Sequence, residues 1–339
     1  MIQKIILGTY TRRISQGIYQ IELDTATETL NNLTLLTEET SPTYLTKSQD
    51  DFLYSVTSRE GQGGFSSYDP QNNFLNAVTE EGAAPCYVAV DEARQLVYGA
   101  NYHKGELNTY KIQPDGSLAA VTSLFHKEPT GPHKNQDKAH THYTDLTPDQ
   151  RLVVCDLGTD RVYTYDVTTA GEVEEVAVYI AEPETGPRHL VFHPNKMIAY
   201  LFGELDSSVS VLAYDEADGS FTQKQKVSTL PKDFTGENGG AAIRISNDGR
   251  YLYASNRGHN SIAVYAIAED GLQIELIQSI STEGDFPRDF ALSPDNNYVV
   301  VANQNSDNLT LYRRDNENGL LSMLQKDVFA PEAVCVYFE

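Results

Sequence analysis

Apolar and polar positions along the chain alternate over short runs, and the same sequence of runs returns at a near-constant interval. An apolar stretch is followed by a small polar cluster, a few loop residues, and an alternating run that ends in tyrosine. Residues 250–265, RYLYASNRGHNSIAVY, align without gaps on residues 297–312, NYVVVANQNSDNLTLY, and residues 95–110, QLVYGANYHKGELNTY, fit the same frame. The closing tyrosines are Tyr19, Tyr68, Tyr110, Tyr165, Tyr214, Tyr265 and Tyr312, with successive spacings of 49, 42, 55, 49, 51 and 47 residues. Seven copies account for the whole chain.

Each copy reads as strands, because β-branched and aromatic residues alternate over runs bounded by Gly, Asn and Asp, and no segment sustains a helical period. Asp-Gly pairs at 115–116, 218–219, 248–249 and 270–271 fall between strands, where tight turns need residues that tolerate positive φ. A second periodic element, seen in HTHYTDLTPDQ, GPRHLVFHPNK and FPRDFALSPDN, precedes each apolar run and supplies the first of four strands. Its last copy, APEAVCVYF at 330–338, has no second strand after it, whereas the chain begins directly with one, IQKIILGTY. Joining the two leaves no open sheet edge. The expectation is an all-β, seven-bladed β-propeller of four-stranded antiparallel blades, a single domain over residues 1–339, closed by its N- and C-terminal strands.

Charge narrows the partners. The chain of 339 residues carries 25 Lys and Arg against 48 Asp and Glu, a formal charge of −23, which opposes nucleic acid and anionic membrane surfaces, so any bound anion must be held by local cations. Cys86, Cys155 and Cys335 are an odd, widely spaced set that suits free thiols. The apolar run Ile5-Ile6-Leu7 is too short for a signal-peptide core and no stretch is long enough to span a bilayer, so a soluble cytoplasmic protein is expected. The absence of tryptophan removes WD repeats from consideration.

In a propeller the first strands line the central channel, so register predicts rings of side chains. Counting back from the turns gives Thr43, Cys86, His142, Arg188, Ala241, Arg288 and Glu332 as one ring. The polar clusters ending the second strands give Tyr10, Ser58, Asn101, Asp156, Glu204, Asn256 and Asn303 as another, with Arg257 adjoining. The 55-residue interval between Tyr110 and Tyr165 carries an insertion with His126, His133, His140 and His142, read as a binding loop or a solvated insertion. His140 and His142 lie at i and i+2, but no third ligand stands at a recognisable spacing, so no metal is assigned. Cys86 has no identifiable base beside it and reads as a small lining residue.

The segments PRHLVFHPN, YLFGEL, IRISNDGRYLYASNRG and FPRDFALSPD resemble the lactonase family of seven-bladed propellers, across essentially the whole chain. The resemblance implies hydrolysis of a sugar lactone, 6-phosphogluconolactone above all, with no cofactor and with His142, Arg188, Glu204 and Arg257 as the catalytic set. Lactone opening needs a base for water, met by His142 or Glu204, and positive charge at the developing oxyanion, met by Arg188 and Arg257. Arg288 or His140 would take the phosphate, with Asn101, Asn256 and Asn303 as further substrate contacts. The expected partner is therefore a small anionic lactone. The competing readings are a non-catalytic scaffold for a sugar or protein, in which Arg188 pairs with Glu204 and Arg288 with Glu332, and a related lactonizing cyclase.

Overall fold

The computed structural model describes residues 1–339 as twenty-eight strands in seven four-stranded sheets, with no helix. No helix is therefore long and apolar enough to cross a membrane. Blade 1 runs Ala333–Phe338, Ile2–Thr9, Gly17–Asp24, Thr29–Glu38. The first strands of blades 2 to 7 are Leu45–Lys47, Tyr87–Asp91, Thr141–Leu146, Pro187–Phe192, Gly239–Ile245 and Pro287–Leu292, each followed by its next three strands in chain order. The chain is a seven-bladed β-propeller.

Burial explains the hydrophobic pattern. Second strands such as Leu96–Asn101 and Tyr298–Asn303 are buried at every position, because both faces of the sheet are covered, and they read as continuous apolar runs. Fourth strands such as Val173–Ile180 have no fully buried residue and keep their charges. The Asp-Gly pairs sit where expected. Gly249 has φ of 71°, and a Cβ there would lie 2.5 Å from the His193 ring, so conformation and space both demand glycine.

Two compact units are distinguished by their internal contacts. One comprises Met1–Glu39, His189–Ala213 and Gln223–Glu339; its core includes Ile5, Leu7 and Ile21 against Val300 and Leu311, and Tyr253 and Val264 against Phe290 and Val301. The other comprises Thr40–Arg188 and Tyr214–Thr222; its core includes Val56 and Phe65 against Val97, and Tyr98 and Leu107 against Val154 and Tyr163.

Two polar latches recur where the chain crosses between blades. The closing tyrosine donates its hydroxyl to the last strand of the preceding blade, Tyr265 to Ser228 O at 2.8 Å and Tyr312 to Ser281 O. The amide ending the second strand grips the same crossover, Asn256 to Thr229 O, Asn303 to Thr282 O and Asn101 to Ala83 O. Both hold a buried crossover whose polar groups would otherwise be unsatisfied.

The chain ends meet as the sequence pattern predicts, with Ile5 opposite Phe338, Leu7 opposite Val336 and a bulge after Gly8 opposite Cys335. Tyr10 N donates to Glu332 O at 3.0 Å. The Glu332 carboxylate then accepts the backbone N–H groups of Arg12, Arg13, Ile14 and Ser15 at 2.9–3.1 Å, with Arg13 Nε 3.6 Å away. Glu332 is thus the anchor of the 11–16 loop rather than the ion-pair partner of Arg288 that the competing scaffold reading supposes, since four converging amides satisfy it more completely than one guanidinium. Burial pushes its carboxyl up, but the amide donors outweigh burial and hold it below the usual glutamate range.

A depressed carboxyl stabilises the fold above its unfolded pKa of about 4.3, and that contribution fades as the pH falls through the folded value. Glu332→Ala should therefore cost about 2–3 kcal/mol at pH 7, where four donors lose a charged acceptor. Urea unfolding followed by circular dichroism should show the gap between wild type and variant shrinking when the pH is lowered to about 3.

Candidate active site

In the first unit the site grows from two adjacent glycines. Arg257 ends the strand Tyr251–Arg257 and is only 8% exposed. Its Nη2 donates to Glu204 Oε2 at 2.7 Å and to Gly240 O at 2.7 Å, and its Cζ lies 5.2 Å from the Phe286 ring centre. A Cβ on Gly239 would come within 3.1 Å of Nη2, so glycine there keeps room for the guanidinium, whereas one on Gly240 would come within 2.6 Å of Gly203 O and 2.7 Å of the Phe202 ring, so glycine there allows the close approach of the neighbouring blade. Burial first, and then the nearby Arg288 charge, push Arg257 below the ordinary arginine value against the pull of Glu204.

Arg288, half-buried in the strand Pro287–Leu292, and Arg12, exposed on the 11–16 loop, both lie over the Tyr10 ring, with Cζ 5.6 Å and 3.9 Å from its centre. Neither guanidinium has a carboxylate partner. The neighbouring acids are already committed. Glu332 holds the loop amides, Asp307 pairs with Arg13 at 2.8 Å, and Asp289 pairs with Arg244 at 2.8 Å and accepts Val336 N–H. Tyr10 was legible as a ring position. Arg12, Phe286 and the Gly239-Gly240 pair were not, and the one signal for Arg12 was a dibasic pair, Arg12-Arg13, in a strongly acidic chain.

The second unit holds His142, Arg188, His140 and Cys86. His142 lies in the strand Thr141–Leu146 and Arg188 in Pro187–Phe192, 5% and 2% exposed. The His142 ring stands edge-on to Tyr102 at 5.9 Å between centres. Cys86 donates its thiol to His142 O at 3.4 Å, a lining contact rather than an activated nucleophile. His140 is not a phosphate ligand as the sequence suggested. Its Nδ1 faces Tyr102 O and its Nε2 faces Asp137 Oδ1, both at 2.8 Å, and the ring stacks on Tyr102 at 4.1 Å, which leaves neither nitrogen for an anion. No group of three His, Cys, Asp or Glu side chains is placed to hold a metal ion.

The insertion before His142 is a tied strap, not a loose loop. His126 bonds Asp156 Oδ2 at 2.6 Å and the Tyr165 hydroxyl at 2.9 Å, so both crossover latches of blade 4 close on one imidazole. Asp156 Oδ1 also accepts the N–H of His140, Gly158 and Thr159, and buried Gln136 donates to Leu157 O. Asn101, Asn256 and Asn303, expected to touch substrate, are at most 1% exposed and spend their amides on the crossovers. The second-strand terminus is a structural position in those blades, and of its members only Glu204 and Tyr10 join the arginine cluster.

The family described as lactonase, 7-bladed beta-propeller, matches residues 4–338. The 6-phosphogluconolactonase of Bacillus subtilis strain 168 is 40% identical over 339 aligned residues, covering 98% of this chain and 97% of that protein. A crystal structure of a protein from Lactobacillus plantarum shares 53% identity with a TM-score of 0.98, covering 100% of both chains. The periplasmic gluconolactonase of Pseudomonas aeruginosa shares 29% identity with a TM-score of 0.93, covering 100% of this chain and 99% of that one.

Removing the partner of a buried guanidinium leaves an uncompensated charge, at a cost of about 3 kcal/mol or more. Glu204→Ala should therefore destabilise the fold by that amount in urea unfolding. The double variant Glu204→Ala, Arg257→Leu should recover most of the loss, because the stranded charge is gone.

Proposed function

The chain belongs to the lactonase family of seven-bladed β-propellers, and from that premise we propose that it hydrolyses 6-phosphogluconolactone to 6-phosphogluconate. The observation that carries the reading is the buried Arg257, fixed by Glu204 beside the unpaired Arg288 in a chain of formal charge −23. A fixed guanidinium in a water-poor setting is what a developing oxyanion requires, since its donors need no reorganisation during reaction.

In the proposed reaction water adds to the lactone carbonyl as a base removes its proton, giving a tetrahedral oxyanion. Collapse of that oxyanion breaks the bond from the carbonyl carbon to the ring oxygen, which receives a proton, and the carboxylate and free hydroxyl of the open sugar acid result. Arg257 and Arg188 are assigned to the oxyanion and to the product carboxylate. Glu204, committed to Arg257 at 2.7 Å, holds that guanidinium in place, and His142 is assigned as the base. The three free cysteines, two of them buried, fit a reducing compartment, and we place the protein in the cytoplasm on that basis, although the Pseudomonas relative is periplasmic.

His142→Asn should lower kcat by about 10²- to 10⁴-fold, the usual range for losing a general base. Arg188→Ala should cost about 10²-fold or more, and Arg188→Lys should restore only part, because an ammonium keeps the charge without the planar fork. Lactone-opening rates above the spontaneous background, with and without a chelator, should be read beside melting temperatures of the same variants. Turnover that stays constant while melting falls would make Arg188 structural, and a wild-type rate no faster than background across a lactone panel would end the lactonase reading.

A further inference from the structure

We propose that Arg12 and Arg288, arrayed on the Tyr10 ring, form the cradle for the substrate's phosphate monoester and make the 11–16 loop the element that selects a phosphorylated over an unphosphorylated lactone; this rests on the lactonase reading. Three observations support the assignment. Both guanidiniums lack an ion-pair partner although carboxylates lie close by, because Glu332, Asp307 and Asp289 are each committed to other groups. In a chain with 48 acidic and 25 basic residues, two unpaired arginines on one aromatic ring are held apart from neutralisation by the hydrogen bonds that occupy the nearby acids. Arg257, 8% exposed, stands near enough to Arg288 to feel its charge, so the guanidinium assigned to the reacting carbonyl adjoins the cradle assigned to the phosphate of the same substrate.

The cradle is preorganised. Four backbone N–H groups of the loop converge on Glu332, which itself closes the chain ends, so Arg12 is carried by a fixed backbone and its guanidinium stacks on Tyr10 at 3.9 Å. A phosphate monoester brings close to two negative charges and three acceptor oxygens, a demand that two guanidinium forks meet and that a neutral sugar hydroxymethyl does not make. Glu332 is a positioning residue in this arrangement; Arg12 and Arg288 are the ligands.

The test compares wild type, Arg12→Ala, Arg288→Ala and Arg12→Lys on 6-phosphogluconolactone and on unphosphorylated glucono-δ-lactone. The ratio of kcat/KM for the two substrates should fall at least about tenfold in each alanine variant, the change lying in KM, with partial recovery in Arg12→Lys. Equal losses on both substrates would overturn the cradle. Calorimetric titration with 6-phosphogluconate, against gluconate as control, separates this proposal from the activity it rests on. If wild type opens neither lactone yet binds 6-phosphogluconate with an affinity that drops tenfold or more in Arg288→Ala, the lactonase reading falls and the cradle stands. If binding is the same in wild type and both alanine variants, the cradle falls whatever the activity.

Discussion

A blade whose two faces both carry apolar side chains has no surface it can leave bare, so the array of sheets is stable only if its ends are joined. The pairing of Ala333–Phe338 with Ile2–Thr9 does this, and it places Leu7 and Val336 in one core with Val300 and Leu311 of blade 7. The same junction reaches into the candidate site. Glu332 lies one residue before the terminal strand and Tyr10 one residue after its partner, joined by a backbone hydrogen bond, so the stitch that closes the sheet also sets the loop bearing Arg12. The contacts that close the ring therefore also fix where a cation stands.

The fold was legible because its signal is repeated seven times. Each closing tyrosine from Tyr68 to Tyr312 is buried, and those at 265 and 312 spend their hydroxyls on identical crossover contacts, so one packing solution imprints the sequence at about 49-residue intervals. The missing first strand at one end and the missing second strand at the other were equally plain, because a strand without its neighbour breaks the period.

The site was legible only in part, for a physical reason. Register states which residues occupy equivalent positions, but not whether a polar group there faces a ligand or finishes the protein's own hydrogen bonding. Asn101, Asn256 and Asn303 share a position with Glu204, yet their short amides reach the crossover carbonyl, while the longer Glu204 reaches Arg257. His140 is a similar case, since the acceptors that occupy it come from Tyr102 and Asp137, which no periodicity relates to it. Arg12 is not legible in the repeat because its place depends on Glu332, 320 positions away in sequence.

These contrasts indicate where function resides in a repeat fold. Where the second-strand terminus is Asn, or Asp156 with His126, it serves the crossover; where the side chain is too long or too aromatic for that contact, as at Glu204 and Tyr10, the position is released to face other charges. The chain's net charge sharpens the consequence. A charge of −23 repels an anionic substrate at long range, but at physiological ionic strength that repulsion is screened within about 8 Å, so only nearby groups decide whether the anion is held. Recognition must then come from contact and not from steering, which requires cations that the surrounding acids do not neutralise. The commitment of Glu332 to four amides and of Asp307 and Asp289 to other arginines meets that requirement: the acids beside the site keep its charge available by being bonded elsewhere.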